Sequence, residues 1–237
     1  MGQDGAAGDA EAGVLPARGL EGPPGAQPIS SSIMWISSSF LVAGLFLSTS
    51  ALTPEECQPL VKPLPLIEPS MMYGRWITIA GYVDGEGFNA ILKATESTWV
   101  NVTQSPSSPN VVVTHEKDKI NGTCVDFAVN VTIDGNTGSG SLVMDMINSK
   151  FHLLPSCEGC FVMNVNTTAR NLDMIFQQLN FNMDVTGEEI HVRALYLIGK
   201  ESTLKDSDVE RFKQQASCLG FSREPDFLYD PKNELCA

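Results

Sequence analysis

Six cysteines are the residues of this 237-residue chain with the clearest capacity for chemistry. Cys157 and Cys160 form a Cys-x-x-Cys motif, but a thioredoxin-like redox site needs a surrounding βαβ unit, which the sequence does not predict. A zinc site would need two further ligands at suitable spacing. The histidines, His115, His152 and His191, fall on three separate predicted strands. We therefore predict no metal site.

Catalytic motifs are also missing from the sequence. It contains no G-x-S-x-G, no H-E-x-x-H, no Gly-rich phosphate loop and no Cys/His pair of suitable spacing. We expect no catalytic residues and no cofactor. The protein is predicted not to be an enzyme.

Four Asn-x-Thr sequons could accept N-linked glycans: Asn101, Asn121, Asn130 and Asn166. A glycan must face solvent, so each asparagine is expected on the protein surface. Four sequons together favour a secreted glycoprotein.

The first 51 residues do not resemble the rest of the chain. Residues 1–33 are rich in Gly, Ala, Pro and acids and are predicted to be disordered. Residues 34–51 are typical of a signal peptide, because their apolar run is too short to span a bilayer and Thr49 and Ala51 precede a cleavage site at Leu52. Two interpretations of residues 1–33 stay open: an alternative start or gene-model artefact, with Met34 as the natural start, or a cytosolic tail ahead of a signal anchor.

The charge of the chain excludes one class of partner. The formal net charge is −13, and removal of residues 1–51, which carry four acids and one arginine, leaves −10. An acidic chain without basic clusters is not typical of nucleic-acid binding. All six cysteines lie after the predicted cleavage site, so disulfides are expected, and the residues alone leave fifteen pairings open.

From Gly74 onward the sequence alternates short β-prone runs with turns, without helix-length segments between them. This predicts an antiparallel meander that closes into a barrel, followed by an amphipathic helix over 204–219 packed on its outside. The fold class is therefore all-β, an eight-stranded up-and-down barrel with a C-terminal helix. The predicted strands are 74–83, 90–103, 110–117, 121–133, 139–154, 160–168, 172–181 and 189–199.

This arrangement resembles the lipocalin family, and Gly74-Arg75-Trp76 matches the Gly-x-Trp signature of its first strand. The C-terminal third is similar to alpha-1-acid glycoprotein. Among relatives, the chain resembles the fish branch, which includes the pufferfish saxitoxin- and tetrodotoxin-binding proteins and the tributyltin-binding proteins. Residues 155–164 resemble a stretch of apolipoprotein M. The matching C-terminal positions are Phe212, Cys218, Asp226, Tyr229, Lys232 and Cys236.

The resemblance implies two disulfides, Cys57 with Cys218 and Cys124 with Cys236. Cys157 and Cys160 are then left, and we expect a local structural disulfide across a hairpin turn. Two features depart from the family pattern. The Thr-Asp-Tyr motif has no counterpart near 168–172, and no arginine clearly stacks on the barrel-end tryptophan, unless Arg193 or Lys200 serves.

An eight-stranded barrel has room for one small ligand, and alternate residues of each strand line its interior. With Trp76 inward, Thr78, Ala80 and Tyr82 follow it, and Phe88 is expected near the mouth. The alternative is that these side chains fill a closed core. On the last strand we prefer the register in which Tyr196 faces inward. The inward row then also contains Val192, Ala194 and Ile198. The family alignment favours the opposite row as the inward one: His191, Arg193, Leu195 and Leu197. The predicted lining is Trp76, Thr78, Tyr82, Phe88, Leu142, Met144, Phe176 and Tyr196.

The sequence thus predicts a secreted, extracellular lipocalin domain over residues 52–237, a plasma carrier without stable membrane insertion, and a monomer. It would bind a small hydrophobic, amphiphilic or cationic molecule reversibly, and a guanidinium toxin fits the acidic charge. Two alternatives come from the resemblance: an acute-phase or immune-modulating glycoprotein, and a lipocalin-type isomerase. The isomerase would need a reactive cysteine within residues 90–103, which contain none.

Overall fold

The structure, a computed structural model, describes residues 52–142, 146–173, 177 and 189–237. The chain divides into two units, Met1–Leu47 and Ser48–Ala237, and all described residues belong to the second. Its helices are α1 (Pro54–Val61), α2 (Glu86–Ala94) and α3 (Asp206–Cys218), with a 3-10 turn at Pro69–Met72. Its strands are β1 (Gly74–Val83), β2 (Thr95–Gln104), β3 (Val111–Ile120), β4 (Thr123–Asp134), β5 (Thr137–Leu142), β6 (Ile147–Leu154), β7 (Cys160–Arg170), β8 (Glu189–Gly199) and β9 (Phe227–Leu228).

Strands β1 to β8 form a closed antiparallel barrel. Each strand from β2 to β7 pairs with the next along the chain, β8 pairs with β1, and β1 pairs with β2 to complete the ring. Closure satisfies the backbone groups that would otherwise be exposed at a sheet edge. The predicted eight-stranded barrel is confirmed, and β9 adds a short ninth strand outside the ring, against β1.

Three of the predicted strand boundaries were wrong. The run 139–154 contains two strands, β5 and β6, which pair through Leu142 and Ile147. The run 90–103 begins inside α2, whose first turn follows Gly85. The predicted seventh strand, 172–181, starts in helix at Leu172 and Asp173, so the seventh strand of the barrel is β7.

Strand β1 contains a register shift that reverses its faces. Thr78 pairs with Ile198 of β8, but Ala80 pairs with Leu197, so Ile79 is an extra residue in β1. Paired residues of neighbouring strands point to the same face. Before Ile79 the even-numbered residues of β1 therefore face inward, and after it the odd-numbered residues do.

The outer face of β1 and β8 is covered by α3. Phe212 and Ala216 of α3 are fully buried against a cluster that includes Tyr82 and Leu197. The Gln215 amide donates hydrogen bonds to the carbonyl oxygens of Leu60 (2.7 Å) and Pro155 (2.9 Å), which tie α1 and the β6–β7 connection to α3. The helix outside the barrel is therefore confirmed.

Three disulfides join all six cysteines. Cys57 of α1 is bonded to Cys218 of α3, and Cys124 of β4 is bonded to Cys236 near the C-terminus. Cys157 and Cys160 are bonded across the β6–β7 hairpin. These are the pairings that the resemblance and the hairpin spacing led us to expect.

Candidate functional site

The interior of the barrel is filled at one end. Trp76 is 3% exposed and packs in one cluster with Val112, Val131, Leu153 and Ile198, which come from strands all around the ring. Its indole Nε1 donates a 2.7 Å hydrogen bond to the Met72 carbonyl oxygen. This end is therefore closed by the 3-10 turn and by side chains.

Lys200 takes the place of the expected arginine at the closed end. Its Nζ lies 5.0 Å from the centre of the Trp76 ring, within the range of a cation–π contact. Phe161 packs against the ring from β7, with 4.8 Å between centroids. Arg193 is on the outer face of β8, where it pairs with Asp84.

Beyond this tightly packed layer, the barrel interior is lined by side chains that keep part of their accessible surface. Strand pairing places them all on the inner face. Inward side chains in the middle of a closed ring can be accessible only if space remains between them. These half-buried inner residues are Val100, Thr114, Glu116, Asp118, Val125, Phe127, Val129, Leu142, Ser149, Phe151, Met163, Thr167 and Tyr196.

Five of the eight predicted lining residues occupy the interior or its mouth. Trp76, Thr78 and Tyr196 face inward, and Leu142 faces inward opposite Ile147. Phe88 lies on α2 and packs against the clusters at the open end. Met144 and Phe176 lie outside the described residues. On β8 the inner row is Val192, Ala194, Tyr196 and Ile198, the register that we preferred.

Tyr82 was predicted to face the interior, and this was wrong. The extra residue at Ile79 turns it to the outer face, where it is 1% exposed. Its ring lies 5.5 Å from Phe212 of α3 and 5.5 Å from Phe221. Gly81 takes the inner position instead, and a Cβ there would lie 2.9 Å from the Tyr196 ring.

Two acids that sequence reasoning missed face the interior. Glu116 and Asp118 lie in the inner row of β3, opposite Phe127 and Val125 of β4. On β2 their partners are Val100 and Thr98. The predicted third strand ended at 117, and the sequence His-Glu-Lys-Asp-Lys is typical of a solvated edge. The alternation from Val112 through Thr114 was the available signal, since it places both acids inward.

One carboxylate oxygen of Asp118 and the hydroxyl of Thr98 are buried without a protein partner. Oδ1 of Asp118 is buried and accepts no hydrogen bond, and neither does Oγ1 of Thr98, which lies opposite on β2. Burial, together with the negative charge of Glu116, raises the pKa of Asp118 from 3.8 to about 9. Burial also raises the pKa of Glu116. The pKa of Tyr196 is raised by its burial and by the charges of Glu116, Asp118 and Asp226, so its hydroxyl stays protonated near these acids.

No described basic side chain faces the lumen from the eight strands. Residues 143–145, 174–176 and 178–188, which the structure does not describe, contain no Lys, Arg or His at all. The two acids therefore have no basic partner in the barrel wall. The basic residues on the strands are all in the outer rows: Arg75, His115, Lys117, Lys119, Lys150, His152, Arg170, His191 and Arg193.

The acids near the mouth are paired, in contrast to Glu116 and Asp118. Asp84 accepts hydrogen bonds from Arg193 (2.5 Å) and Arg223 (3.3 Å). Asp226 accepts from Arg223 (2.7 Å), the Val83 amide (3.0 Å) and the Asn89 side chain. Burial opposes ionisation of Asp226, but these hydrogen bonds lower its pKa. This network holds the end of β1 and the start of α2 in place.

Helix α2 covers part of the open end. Leu92 is buried in one cluster with Val83, Val165 and Val192, all inner-row residues near the mouth. Its side chain would lie 3.4 Å from a Cβ at Gly81. A ligand that enters here must pass α2 or displace it.

The four sequon asparagines lie at the surface. Asn101, Asn130 and Asn166 are in outer rows of β2, β4 and β7, and Asn121 is in the turn between β3 and β4. Asn121, Asn130 and Asn166 are exposed, whereas Asn101 is half-buried. The three exposed side chains are accessible to a glycan.

The pKa of Asp118 predicts how stability depends on pH. Its folded value of about 9 exceeds the ordinary 3.8, so the folded protein holds a proton that the unfolded chain has lost. Stability should therefore fall as the pH rises from the lower value toward the higher one. Asp118→Asn removes this penalty, and we expect it to raise the free energy of unfolding at neutral pH by about 1–3 kcal/mol.

Urea unfolding across the pH range measures this effect. At acid pH, where the wild-type carboxyl is protonated in both states, the variant and the wild type should be equally stable. Asp126→Asn, which changes an exposed acid on the outer face of β4, is the matched control. An equal difference between Asp118→Asn and wild type at every pH would show that Asp118 ionises normally in the barrel.

The comparisons with known proteins concern the fold. No family model matches the chain, and no curated protein matches it in sequence. The solved structure of the siderocalin Ex-FABP is similar at 9% identity, over 67% of this chain and 93% of its own, with a TM-score of 0.49. A bovine lipocalin allergen is similar at 15% identity, over 65% and 89%, with a TM-score of 0.44. Aphrodisin, a sex pheromone from the female hamster, is similar at 17% identity, over 60% and 84%, with a TM-score of 0.41. Strand pairing within this chain, rather than these likenesses, defines the barrel.

Proposed function

We propose that the protein is a secreted carrier of the lipocalin type that reversibly binds one small amphiphilic cation inside its barrel. One observation carries the proposal: Glu116 and Asp118 face a partly open lumen into which none of the eight strands directs a described basic side chain, while Lys200, after β8, contacts the Trp76 ring at the closed end. Placing two carboxylates in an apolar environment is unfavourable unless something compensates their charge. A cationic ligand would do so.

The surroundings of the acids indicate the rest of the ligand. Phe127, Val125 and Val100 flank the pair on β4 and β2, and Tyr196 lies close enough for both acids to affect its pKa. Apolar and aromatic walls favour an apolar body, and an aromatic face also attracts a cation. Ammonium and guanidinium compounds with apolar groups, including guanidinium toxins, have this chemistry.

The disulfides and the surface sequons support secretion. Three disulfides are typical of a protein that folds in an oxidising compartment. In the described part of the chain, no helix combines the length and the apolar character that a membrane crossing requires. The disulfides support our proposal that the protein transports or sequesters its ligand outside the cell.

The experiment compares two probes of the same shape and different charge. Benzyltrimethylammonium carries a permanent positive charge, and neopentylbenzene is its neutral counterpart. In equilibrium dialysis with the intact disulfide-bonded protein, we expect the cation to bind at least about tenfold more tightly, a difference of about 1.4 kcal/mol. The double variant Glu116→Gln/Asp118→Asn should lose this preference.

Asp126→Asn is again the matched control, because it removes one negative charge from the outside of the barrel. It should keep the preference for the cation. Binding of the neutral probe alone would show a purely hydrophobic carrier. If neither probe binds the wild-type protein, the proposal is wrong.

A further inference from the structure

We propose that cation binding in the barrel is an exchange against a proton held by Glu116 and Asp118. This inference rests on the proposed function and concerns how the same site is regulated. In the exchange, the cation enters the lumen, the O–H bond of one carboxyl breaks, and its proton passes to bulk water. Charge is conserved, because one positive charge leaves the lumen as the other arrives.

The spacing of the two acids carries the first step of the argument. They are two residues apart on one strand, so their Cα atoms are about 7 Å apart and both side chains point into the same space. Two carboxylates in one poorly hydrated space repel each other, and both lose hydration. With no base in the barrel wall to compensate them, the lowest-energy empty lumen keeps at least one proton on the pair.

Among the described residues, no basic group compensates the pair, and Lys200, at the closed end, contacts the Trp76 ring instead. Lys117 and Lys119, which alternate with the acids on β3, point outward and pair with Asp126 and Glu96. On α2, the charged residues Glu86 and Lys93 are exposed. From β8, Tyr196 contributes a neutral hydroxyl, and the remaining charge that acts on it, Asp226, is negative.

The direction in which burial shifts the pKa of both acids is consistent with this arrangement. Burial and the charge of Glu116 raise the pKa of Asp118 to about 9, so a proton is retained at the pH of plasma. A bound cation would stabilise the ionised form and lower that pKa. Cation affinity should then rise with pH, and an acidic environment should release the ligand.

Calorimetric titration with benzyltrimethylammonium tests the exchange, since this quaternary ion cannot itself gain or lose a proton. The titration is performed on the intact protein in phosphate and in Tris, which differ in ionisation enthalpy. The difference between the binding heats in the two buffers gives the number of protons released. We expect about 0.5 to 1 proton per bound cation near neutral pH. The affinity should rise up to about tenfold per pH unit between about pH 6 and about pH 8.

Three variants and the neutral probe show which residues release the proton when the cation binds. Asp118→Asn should reduce proton release to less than half, and Glu116→Gln should reduce it also, because the remaining acid no longer has a charged neighbour. Asp126→Asn should leave the release and the pH profile unchanged. Neopentylbenzene should bind, if at all, without proton release.

The outcomes separate this inference from the function on which it rests. If the cation binds with no proton release and with an affinity independent of pH, the exchange is wrong and the carrier function stands. Failure of the wild-type protein to bind the cation at all overturns both. Unchanged proton release in Glu116→Gln/Asp118→Asn overturns the assignment of the proton to this pair.

Discussion

Replacing Tyr82 with alanine is expected to lower the free energy of unfolding by about 3–5 kcal/mol, the cost of removing a buried aromatic ring. Tyr82 is 1% exposed and lies between Phe212 and Phe221. Because it is on the outer face of β1, the substitution leaves the lumen lining intact. The affinity for benzyltrimethylammonium should therefore stay within about twofold of the wild-type value, well below the 1.4 kcal/mol of a tenfold change.

Tyr196→Ala is the matched control for this prediction. Tyr196 is half-buried and faces the lumen, so the same substitution should weaken cation binding more and stability less. Urea unfolding and calorimetric titration on both variants give the comparison. If Tyr82→Ala weakens binding severalfold and leaves stability unchanged, the reversal of faces in β1 is wrong. Tyr82→Leu provides a milder change if the alanine variant does not fold.

Removal of the Cys57–Cys218 disulfide should cost about 2–4 kcal/mol of stability. The bond joins residues separated by 161 positions, and a crosslink over such a long loop strongly restricts the unfolded chain. Helix α1 has no fully buried residues, so it is attached by the disulfide, by the hydrogen bond from Gln215 to Leu60 and by the contact of Val61 with the core. The double variant Cys57→Ser/Cys218→Ser should therefore also release α1 from α3.

The Cys157–Cys160 disulfide supplies the comparison, because it spans only 3 positions. In the chain-entropy model, removal of this short-loop disulfide costs about 2 kcal/mol of stability, and removal of the long-loop disulfide costs about 5 kcal/mol. Strain in the folded protein reduces both of these costs. Thermal unfolding and limited proteolysis near α1 distinguish the two double serine variants. Equal stability losses would mean that loop length does not determine the effect.

Most of the barrel was predictable from local sequence, since its strands are β-prone runs separated by turns. The errors have local causes. The run 139–154 has no Gly, Pro or Asn between Leu142 and Ile147, and Asp145 alone did not mark a turn, so the sequence predicted one strand where there are two. Residues 90–94 are helical because α2 packs its apolar face on the mouth, which is a tertiary effect.

The candidate site was less predictable than the fold. Trp76 and Tyr196 follow from alternation, but Tyr82 does not, because nothing in the run Gly74–Val83 marks Ile79 as an extra residue. Glu116 and Asp118 were missed because charged residues are expected on the outside of a strand. The sequence could have placed the two acids inside only if the alternation of inward residues had been continued along β3 from Val112.

The extra residue at Ile79 also affects how much space for a ligand remains in the barrel interior. A deletion of one residue from that stretch would restore strict alternation and exchange the two rows over the last part of β1. The Tyr82 ring would then occupy the lumen beside Tyr196, and Gly81 would leave a gap beneath Phe212. An indel of a single codon would therefore place an additional aromatic side chain in the barrel interior.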